Sequence, residues 1–387
     1  MSARVHDAVI VGGGPIGCAA AIALSEAGLD VTVLEANADA QRAPDSRTLA
    51  LSWNSQLIMQ RLHAWPDEFP VTAINTIHVS DRGHFGRAAL QASDLKLPAL
   101  GYVLRFSDAY DVLREATRGR RIDFQGGFKV SSVRAGSPVS EVLGTTAHGD
   151  KSLQARLIVV ADGGAALAKE SAQSVRRHDY RQVAVVGLIR PDRSHQNCAY
   201  ERFTSNGPIA LLPCSQEFAF VWTCSPEYGE NLLSLDDAVF LMRFRSAFGD
   251  RAGSFVDVRL RSSFRLMLRV VRQRPQAGIV LLGNASQTLH PIAGQGFNLG
   301  LRDAWDLAEI IRAAPDSLGT VAMTSEFRKK RRFDRLGGIT FTHGLAQLFS
   351  NDFAPLAIGR GIGLAMLDTC PPLKRELMRR MIFGSIF

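Results

Sequence analysis

A glycine-rich turn near the start of the chain constrains its fold more than any other feature. The apolar run Ala8–Val11 leads into Gly12-Gly-Gly-Pro-Ile-Gly17, and small and apolar residues follow as far as Gly28. A buried strand, a GxGxxG turn and a helix in this order are typical of a dinucleotide-binding unit. Val31–Glu35 has the character of a second strand, and two strands joined through a helix lie parallel. The segment therefore predicts an α/β fold that is built on a parallel sheet.

Each glycine of this motif has a physical role. Gly12 allows the tight turn, Gly14 lets the backbone approach a pyrophosphate, and Gly17 lets the helix pack closely on the strand. The phosphates would then lie at the helix N-terminus, where free N–H groups and the helix dipole favour anions. Glu35 ends the second strand, where a carboxylate can accept hydrogen bonds from ribose hydroxyls. The motif predicts a cofactor with an ADP half and leaves NAD and FAD open.

Two later segments favour FAD. Leu157–Lys169 is an apolar strand that runs into Asp162-Gly163, and Gly278–Leu301 is an apolar strand followed by a polar turn and Gly294-Gln295-Gly296. A second glycine-rich helix start in one chain indicates that another anionic or electron-rich group docks there. If the first site holds ADP, this helix start would face O2 and N1 of a flavin and stabilise negative charge on the reduced ring.

The middle of the chain has a different pattern of predicted secondary structure. Short strands between Gln182 and Arg261 predict an antiparallel sheet, and one helix is predicted over Leu235–Phe248 with Ser234 as its N-cap. The predicted fold class is therefore α/β, with a Rossmann-type FAD-binding domain, an inserted antiparallel-sheet substrate domain and a C-terminal helical segment. The predicted boundaries are residues 1–75, 99–175 and 270–345 for the FAD-binding domain, 76–98 and 176–269 for the substrate domain, and 346–387 for the C-terminal helical segment.

The last part of the chain is predicted to be helical and basic. Helices are expected from Phe297 onward, with breaks at Gly337, Pro355 and Pro371. The net charge of the 387 residues is +8, and most of the excess lies after Met323. A localised basic surface favours lipid headgroups and argues against nucleic acid as a partner.

The cysteines and the hydropathy indicate the compartment. The five cysteines form no CxxC pair and no ligand spacing, so we expect free thiols in a reducing cytosol and no metal site. We expect no signal peptide, because residues 1–7 are too short to hold one before the first strand. No run reaches the roughly 18 apolar residues that span a bilayer. The expected location is cytoplasmic, with peripheral association at the inner face of the membrane.

Taken together, the three glycine-containing segments resemble the flavin-dependent aromatic hydroxylases of ubiquinone biosynthesis, which have the p-hydroxybenzoate hydroxylase fold. The resemblance covers nearly the whole chain and is strongest to the subgroup that hydroxylates 2-polyprenyl-6-methoxyphenol. The segments that carry it are Ser46–Ser52, Gly101–Val103, Gly283–Asn298, Phe341–Leu345, Arg360–Leu364 and Pro371–Lys374.

The resemblance implies that one noncovalent FAD is bound along these segments. Glu35 would bind the adenosine ribose, and Arg47 would contact the flavin side of the pocket. Asp162, with Gly163 beside it, and Asn284 would hydrogen-bond the linker hydroxyls or the pyrophosphate region of FAD.

The resemblance also implies roles at the flavin ring. Backbone and side-chain donors of Gly294-Gln295-Gly296 and Asn298 would face the isoalloxazine. His290, followed by Pro291, would lie at the mouth of the flavin site, where a neutral imidazole could help to deprotonate a phenol.

The implied reaction is hydroxylation of the aromatic ring of a polyprenylated phenol. Reduced flavin would react with O2 to give a C4a-hydroperoxide that donates oxygen to the electron-rich ring. NAD(P)H or a protein electron donor would reduce the flavin transiently, because the sequence has one GxGxxG unit. The substrate would be met at a membrane surface or within a quinone-biosynthesis protein complex. Two alternatives remain open: an FAD-dependent reductase of an isoprenoid substrate, and a non-catalytic FAD-binding assembly subunit.

Overall fold

The computed structural model describes residues 4–37, 47–83, 85–164, 175–271, 276–289, 295–349 and 354–384. Within these ranges the chain forms a mixed sheet with a parallel centre, a larger and mostly antiparallel sheet, and a small three-stranded sheet. Helices cover one face of the mixed sheet's parallel centre and one face of the larger sheet. Among the described residues, the core on the other face of the parallel centre contains no α-helical residue.

Strands and helices alternate near the start of the chain, strands dominate its middle, and helices follow one another from Gln295 onward. The strands are β1 (Val5–Val11), β2 (Val31–Glu35), β3 (Thr48–Ser52), β4 (Thr72–Ile74), β5 (Thr76–Asp81), β6 (Arg87–Gln91), β7 (Gly101–Arg105), β8 (Ile122–Gly126), β9 (Lys129–Arg134), β10 (Ser140–Thr146), β11 (Gly149–Val160), β12 (Val175–Pro191), β13 (Cys198–Phe203), β14 (Ile209–Cys214), β15 (Glu217–Cys224), β16 (Phe255–Val271), β17 (Ile279–Leu281) and β18 (Gln287–Thr288). The α-helices are α1 (Pro15–Glu26), α2 (Trp53–Arg61), α3 (Phe106–Glu115), α4 (Pro226–Ser234), α5 (Asp237–Phe248), α6 (Gln295–Ala313), α7 (Val321–Phe349), α8 (Ala354–Thr369) and α9 (Pro371–Phe383).

The mixed sheet has the order β8-β2-β1-β11-β10-β9, and β17 also pairs with β11. β1 is parallel to both β2 and β11, and β17 is parallel to β11. The predicted parallel sheet and its α1 crossover are therefore confirmed. α1 ends as predicted, because Gly28 has a φ of +92°, which suits a glycine after a helix.

Both faces of the parallel centre are buried, which explains its continuous apolar runs. Along β1, Ala8 and Ile10 face a core shared with α1 and α6, whereas Val9 and Val11 face a second core on the other side. Strands in such a position carry no polar face, so they read as unbroken apolar segments.

The larger sheet has the order β18-β16-β12-β15-β14-β13-β5-β6. Its pairings are antiparallel except between β13 and β5. Strands of the predicted substrate regions 76–98 and 176–269 thus share one sheet, although the assignment of domain boundaries stays a prediction.

The helix predicted over Leu235–Phe248 was placed wrongly at its start. α5 begins at Asp237, and Asp236 caps it by accepting a hydrogen bond from the backbone N–H of Val239 at 2.8 Å. Ser234 ends a separate helix, α4, which the sequence reading missed although Ser225 and Pro226 are a typical N-cap and first residue.

The predicted helix break at Gly337 is also wrong, because α7 runs through it from Val321 to Phe349. The neighbouring Gly338 shows why glycine is used here. A Cβ at Gly338 would lie only 3.0 Å from Cδ1 of Leu299 in α6. Close packing between α7 and α6 therefore outweighs the roughly 1 kcal/mol by which glycine disfavours a helix interior. Pro355 and Pro371 do lie in the first turns of α8 and α9.

Candidate functional site

The topology brings three predicted cofactor segments to one edge of the mixed sheet. The turn after β1 contains Gly12, the turn after β11 contains Asp162, and the turn after β17 contains Gly283. These strands are parallel neighbours, so their carboxyl ends meet at the same edge, where open α/β sheets bind ligands. The first two turns touch: Gly12 has a φ of +102°, and a Cβ there would lie 2.7 Å from Cα of Asp162.

The start of α1 is built to receive an anion. Gly14 is the N-cap residue, and no side chain caps the helix. The first turn of α1 also contains no acidic residue. Gly17 is required by packing, since a Cβ there would lie 1.9 Å from the carbonyl oxygen of Gly12. The free N–H groups and the helix dipole therefore point toward the space where a phosphate would lie.

Glu35 lies at the end of β2, as predicted, and its carboxylate orders the glycine turn. Oε2 accepts a hydrogen bond from the backbone N–H of Gly13 at 2.8 Å. Oε1 accepts from the backbone N–H of Asn37 at 3.2 Å and from its side-chain amide at 3.1 Å. The carboxylate thus lies directly beside the glycine turn.

The turn after β17 is held from two sides. The backbone N–H of Gly283 donates to Oδ2 of Asp303 in α6 at 3.1 Å. Arg269 in β16 donates to the carbonyl oxygens of Asn284 at 3.1 Å and Ala285 at 3.3 Å. Asp303 and Arg269 were not singled out from the sequence, because neither lies in a cofactor motif.

Arg269 also reaches the turn after β11. A Cβ at Gly164 would lie 2.5 Å from a guanidinium nitrogen of Arg269, so the two pack closely. Within that turn, Oδ1 of Asp162 accepts from the backbone N–H of Gly164 at 2.7 Å. The carboxylate of Asp162 therefore shapes its own turn, and Arg269 links this turn to the one that contains Asn284.

The start of α6 is joined to β3 through Asn298. Its side-chain Oδ1 accepts from the backbone N–H of Ser52 at 2.8 Å, and Nδ2 donates to the carbonyl oxygen of Ala50 at 2.9 Å. The amide of Asn298 thus fixes the strand that follows Arg47. The Arg47 guanidinium lies over the rings of Phe106, at 4.8 Å, and Phe264, at 5.7 Å.

A cavity of about 620 Å³ connects these turns with the larger sheet and the C-terminal helices. On the motif side it is lined by Gly14, Gly163, Asn284 and Gly296, with Arg47. The C-terminal helices add an apolar part of the wall, which includes Leu364 and Leu367 of α8 and Leu377 and Met381 of α9. The predicted cofactor residues and apolar residues of α8 and α9 therefore line one cavity.

Two glycines on this wall leave room that a ring system could fill. A Cβ added at Gly163 or at Gly296 would have no described atom within 4 Å, although both residues line the cavity. Together with the uncapped start of α1 and the carboxylate of Glu35, this open wall fits an ADP-linked planar cofactor. The residues present therefore fit FAD.

Glu201 is a carboxylate in the cavity wall that the sequence reading missed. It lies in β13, where it pairs with Val79 of β5 and Ala210 of β14, and all three residues line the cavity. Burial raises its pKa to about 7. A signal was present in the sequence, since Ala199 and Phe203 flank Glu201 at strand spacing and mark an otherwise apolar face.

Three predicted site residues, His290, Pro291 and Gly294, lie outside the described residues. Gln295 begins α6 and is buried beside Asn298. In the part of the chain that the structure describes, no cluster of three His, Cys, Asp or Glu side chains could hold a metal ion. Over the same ranges, no helix combines the length and apolar character that crossing a bilayer requires.

Comparison with known protein families shows which family the chain belongs to. A model of the FAD binding domain family matches residues 5–320. The chain belongs to this family. The prediction of an α/β fold with an FAD-binding domain is thereby confirmed.

Two relatives and one solved structure are similar to this chain. The chain is 32% identical over 395 residues to the ubiquinone hydroxylase UbiL of Rhodospirillum rubrum, covering 97% of this chain and 89% of that protein. It is 27% identical over 395 residues to 3-demethoxyubiquinol 3-hydroxylase of Escherichia coli, covering 98% and 99%. The p-nitrophenol 4-monooxygenase PnpA of Pseudomonas putida DLL-E4 has a TM-score of 0.79 at 16% identity, with both chains covered fully, which shows a shared fold. The predicted resemblance to flavin-dependent hydroxylases is confirmed at the level of the family.

Proposed function

We propose that the chain is an FAD-dependent monooxygenase that hydroxylates the aromatic ring of a polyprenylated phenol in ubiquinone biosynthesis. The observation that carries this proposal is the shared cavity. It is lined both by Gly14, Asn284 and Gly296 of the FAD segments and by apolar residues of α8 and α9. A phenol with an isoprenoid tail has matching halves: a ring that must reach the flavin and a long apolar chain. The hydroxylase and ubiquinone-related names of the relatives support the same substrate class.

The chain's own residues would bind, orient and shield the reactants. The uncapped start of α1 would hold the pyrophosphate, and Glu35 would accept hydrogen bonds from the adenosine ribose. Gly296 at the start of α6 would offer its N–H to the flavin ring, and the positive Arg47 would lie on the flavin side of the cavity. The apolar lining would exclude water, which protects a reactive oxygen donor from hydrolysis. When bound and reduced, the flavin would activate O2, which is the source of the transferred oxygen atom.

The reductant would be NAD(P)H or a protein electron donor, with O2 as co-substrate. In the described ranges, β1, the GxGxxG turn and α1 form one dinucleotide-binding unit, which FAD would fill. The reductant would then meet the flavin only transiently.

A reconstitution experiment tests this function. Purified protein loaded with FAD would be mixed with a short-tail 2-prenyl-6-methoxyphenol, NADPH and air, and the products would be analysed by mass spectrometry. We expect a hydroxylated ring and a product yield that depends on FAD. Reduction of a tail double bond would support the alternative of an isoprenoid reductase, and a protein that binds FAD but forms no product would support the alternative of a non-catalytic assembly subunit.

We also propose that α8 lies against the inner face of the membrane and admits the tail. Leu364 and Leu367 line the cavity, whereas Ile362 and Met366 on the same helix are 48% and 56% exposed. The exposed ring of Phe85 lies beside Gly361, next to Ile362. α8 thus has an apolar inner face toward the cavity and an apolar outer face toward solvent, an arrangement that suits a lipid on its way into the site.

The basic residues of α9 would add headgroup attraction, but they are not equivalent. Lys374 donates to the carbonyl oxygen of Ala89 at 3.2 Å, and it therefore helps to attach α9 to the fold. Arg380 pairs with Glu376 at 2.7 Å. Arg360 is buried and pairs with Asp81 at 3.0 Å, so it belongs to the interior. Arg375 and Arg379 are exposed and remain the best candidates, each worth ~1 kcal/mol near an anionic surface.

Vesicle co-sedimentation tests the membrane proposal. We expect binding to phosphatidylcholine vesicles that contain phosphatidylglycerol and weaker binding to phosphatidylcholine alone. The double variants Ile362→Ser/Met366→Ser and Arg375→Gln/Arg379→Gln should each reduce binding, whereas Arg118→Gln, on an exposed turn elsewhere, should not. Absence of wild-type binding to either vesicle at any salt concentration would contradict the proposal and point to delivery by a protein.

A further inference from the structure

Glu201 is placed in the cavity by the register of the larger sheet. In β13 it stands opposite Val79 of β5 and Ala210 of β14, and Ala210 stands opposite Val221 of β15. All four residues line the cavity, so they form one row across four strands. Glu201 is the acid in a row whose other members are Val and Ala.

The adjacent side chains in β13 point to the opposite face. The ring of Tyr200 packs against Phe218, with ring centres 5.9 Å apart, and Arg202 donates to the hydroxyl of Ser80 at 3.2 Å. Strand alternation therefore places the Glu201 carboxylate on the face opposite the Tyr200 ring and the Arg202 side chain.

No hydrogen-bond or ion-pair partner of the Glu201 carboxylate is found among the described residues. Protein surrounds the side chain, and the surface that stays accessible faces the cavity. A carboxylate without a partner in apolar surroundings is costly, and native proteins rarely keep one without a role. We therefore expect the Glu201 carboxylate to find its hydrogen-bond partner in a bound ligand.

The other charged and titratable groups around the cavity do not replace Glu201. Among the described lining residues, Arg47 is the other charged side chain, and it stacks on Phe106. Burial raises the pKa of Tyr200 to about 12, far from neutrality. The residues that face Glu201 from β5, β14, α8 and α9 are apolar. Burial itself raises the pKa of Glu201 to about 7, which suits proton transfer near neutral pH.

We propose that Glu201 removes the proton from the hydroxyl group of the phenol substrate. This inference rests on the proposed function. The phenolic O–H bond breaks, an O–H bond forms on the Glu201 carboxylate, and the negative charge moves from Glu201 to the phenol oxygen. The electron pair left on that oxygen spreads into the ring and makes its ortho and para carbons better nucleophiles. No electrons are exchanged in this step, and the proton returns to solvent when the product leaves.

The first test is a binding spectrum, which needs no turnover. Oxidised holoenzyme would be titrated with a short-tail 2-prenyl-6-methoxyphenol, and the ultraviolet difference band of the bound phenolate would be followed from pH 5 to pH 10. We expect the wild type to bind phenolate with a midpoint near neutrality. In Glu201→Gln the midpoint should move toward the value of the free phenol, while Glu230→Gln on exposed α4 should match the wild type.

The second test is the pH profile of hydroxylation. Removal of a general base typically costs 10²- to 10⁴-fold in rate. We therefore expect Glu201→Gln to lose rate by this factor and to lose the rise in kcat/KM near neutral pH, while it retains FAD and still oxidises NADPH. Glu201→Asp should restore part of the rate, because it keeps an ionisable carboxyl.

Specific outcomes would overturn the proposal. A Glu201→Gln variant with the wild-type phenolate midpoint and the wild-type pH profile would remove Glu201 from this role. The same would follow if the pH-dependent rise were lost in His290→Asn and kept in Glu201→Gln. A wild type that binds the phenol as phenolate but never hydroxylates it would instead contradict the proposed function and leave the role of Glu201 in proton transfer intact.

Discussion

Oε2 of Glu35 accepts a hydrogen bond from the backbone N–H of Gly13 at 2.8 Å, which joins the end of β2 to the turn that precedes α1. The residue proposed to bind the ribose therefore also orders the turn proposed to bind the pyrophosphate. Hydrogen bonds to charged groups contribute about 1.5–3 kcal/mol each. We expect Glu35→Ala to weaken FAD binding by a factor of roughly 10 to 100.

Fluorescence titration of the apoprotein with FAD measures this effect. Glu26→Ala is the matched control, because Glu26 lies at the far end of α1 and pairs with Arg120 at 2.6 Å. The control should bind FAD as the wild type does. Equal affinity in Glu35→Ala would show that the carboxylate contacts no part of the cofactor.

Gly14 offers a test of the turn proposed to bind the pyrophosphate, and this test is free of backbone strain. Its φ of −68° and ψ of 177° are extended values that any residue adopts. We therefore expect Gly14→Val to fold normally and to lose FAD, because the new side chain fills the space that the pyrophosphate needs. The flavin absorbance per protein measures the loss of FAD, and a circular dichroism spectrum shows whether the variant folds. A folded Gly14→Val protein that stays fully yellow would contradict this use of the turn.

The sequence allowed the cofactor edge to be predicted because it depends on local rules. Gly12, Gly17 and Glu35 occupy fixed positions in one strand–turn–helix–strand unit, so their spacing alone places them together. Glu201, Arg269 and Asp303 could not be assigned in this way. Glu201 reaches the cavity through the pairing of β13 with β5, which lies more than a hundred residues earlier in the chain. The sequence shows the apolar spacing around Glu201, but it does not show this long-range pairing.

Two helix boundaries were predicted wrongly for a related reason. Gly337 reads as a break because glycine disfavours helices, but contact between α7 and α6 outweighs that preference at the adjacent Gly338. Ser234 and Asp236 are both good caps, and sequence alone did not choose between them. The structure chooses Asp236, and it uses Ser234 to end α4.

A buried ion network attaches α7 to α6, and its centre is Arg331. This guanidinium is 2% exposed and pairs with Asp303 at 2.7 Å, Asp306 at 2.9 Å and Asp334 at 2.7 Å. Removal of one partner from a buried pair costs about 3–5 kcal/mol, because it leaves uncompensated charge behind. We expect Arg331→Met to lower the free energy of unfolding by this amount.

Urea denaturation of the holoenzyme, followed by tryptophan fluorescence, measures that change. Arg118→Met is the control, since Arg118 pairs with Glu115 on the exposed surface and such pairs contribute about 0–1 kcal/mol. The Gly283 turn should loosen as well, because Asp303 also accepts its N–H. Equal stability of the Arg331→Met and Arg118→Met proteins would contradict a structural role for the network.

The raised pKa of Glu201 predicts how stability depends on pH. Burial raises this pKa from 4.5 to about 7 in the folded chain. The folded chain therefore binds this proton more tightly than the unfolded chain does. The stabilisation that results is complete below pH 4.5 and is lost as the pH rises through 7. For a pKa shift of this size, the free energy of unfolding falls by about 3 kcal/mol.

Thermal unfolding at pH 5 and pH 8 tests this dependence. Glu201→Gln cannot ionise, so it should gain stability relative to the wild type as the pH rises between these values. The exposed control Glu230→Gln should show no such gain. A constant difference between Glu201→Gln and the wild type at both pH values would show that Glu201 has an ordinary pKa in the folded chain.

The central claim is that this chain transfers one oxygen atom from O2 to the ring of a prenylated phenol. Isotope labelling tests it most directly. Holoenzyme would be reduced without oxygen, mixed with a short-tail 2-prenyl-6-methoxyphenol, and exposed to ¹⁸O2 in unlabelled water. We expect a product whose ring carries one ¹⁸O atom per turnover. A product without ¹⁸O, or a substrate changed only in its tail, would contradict the assignment as a hydroxylase.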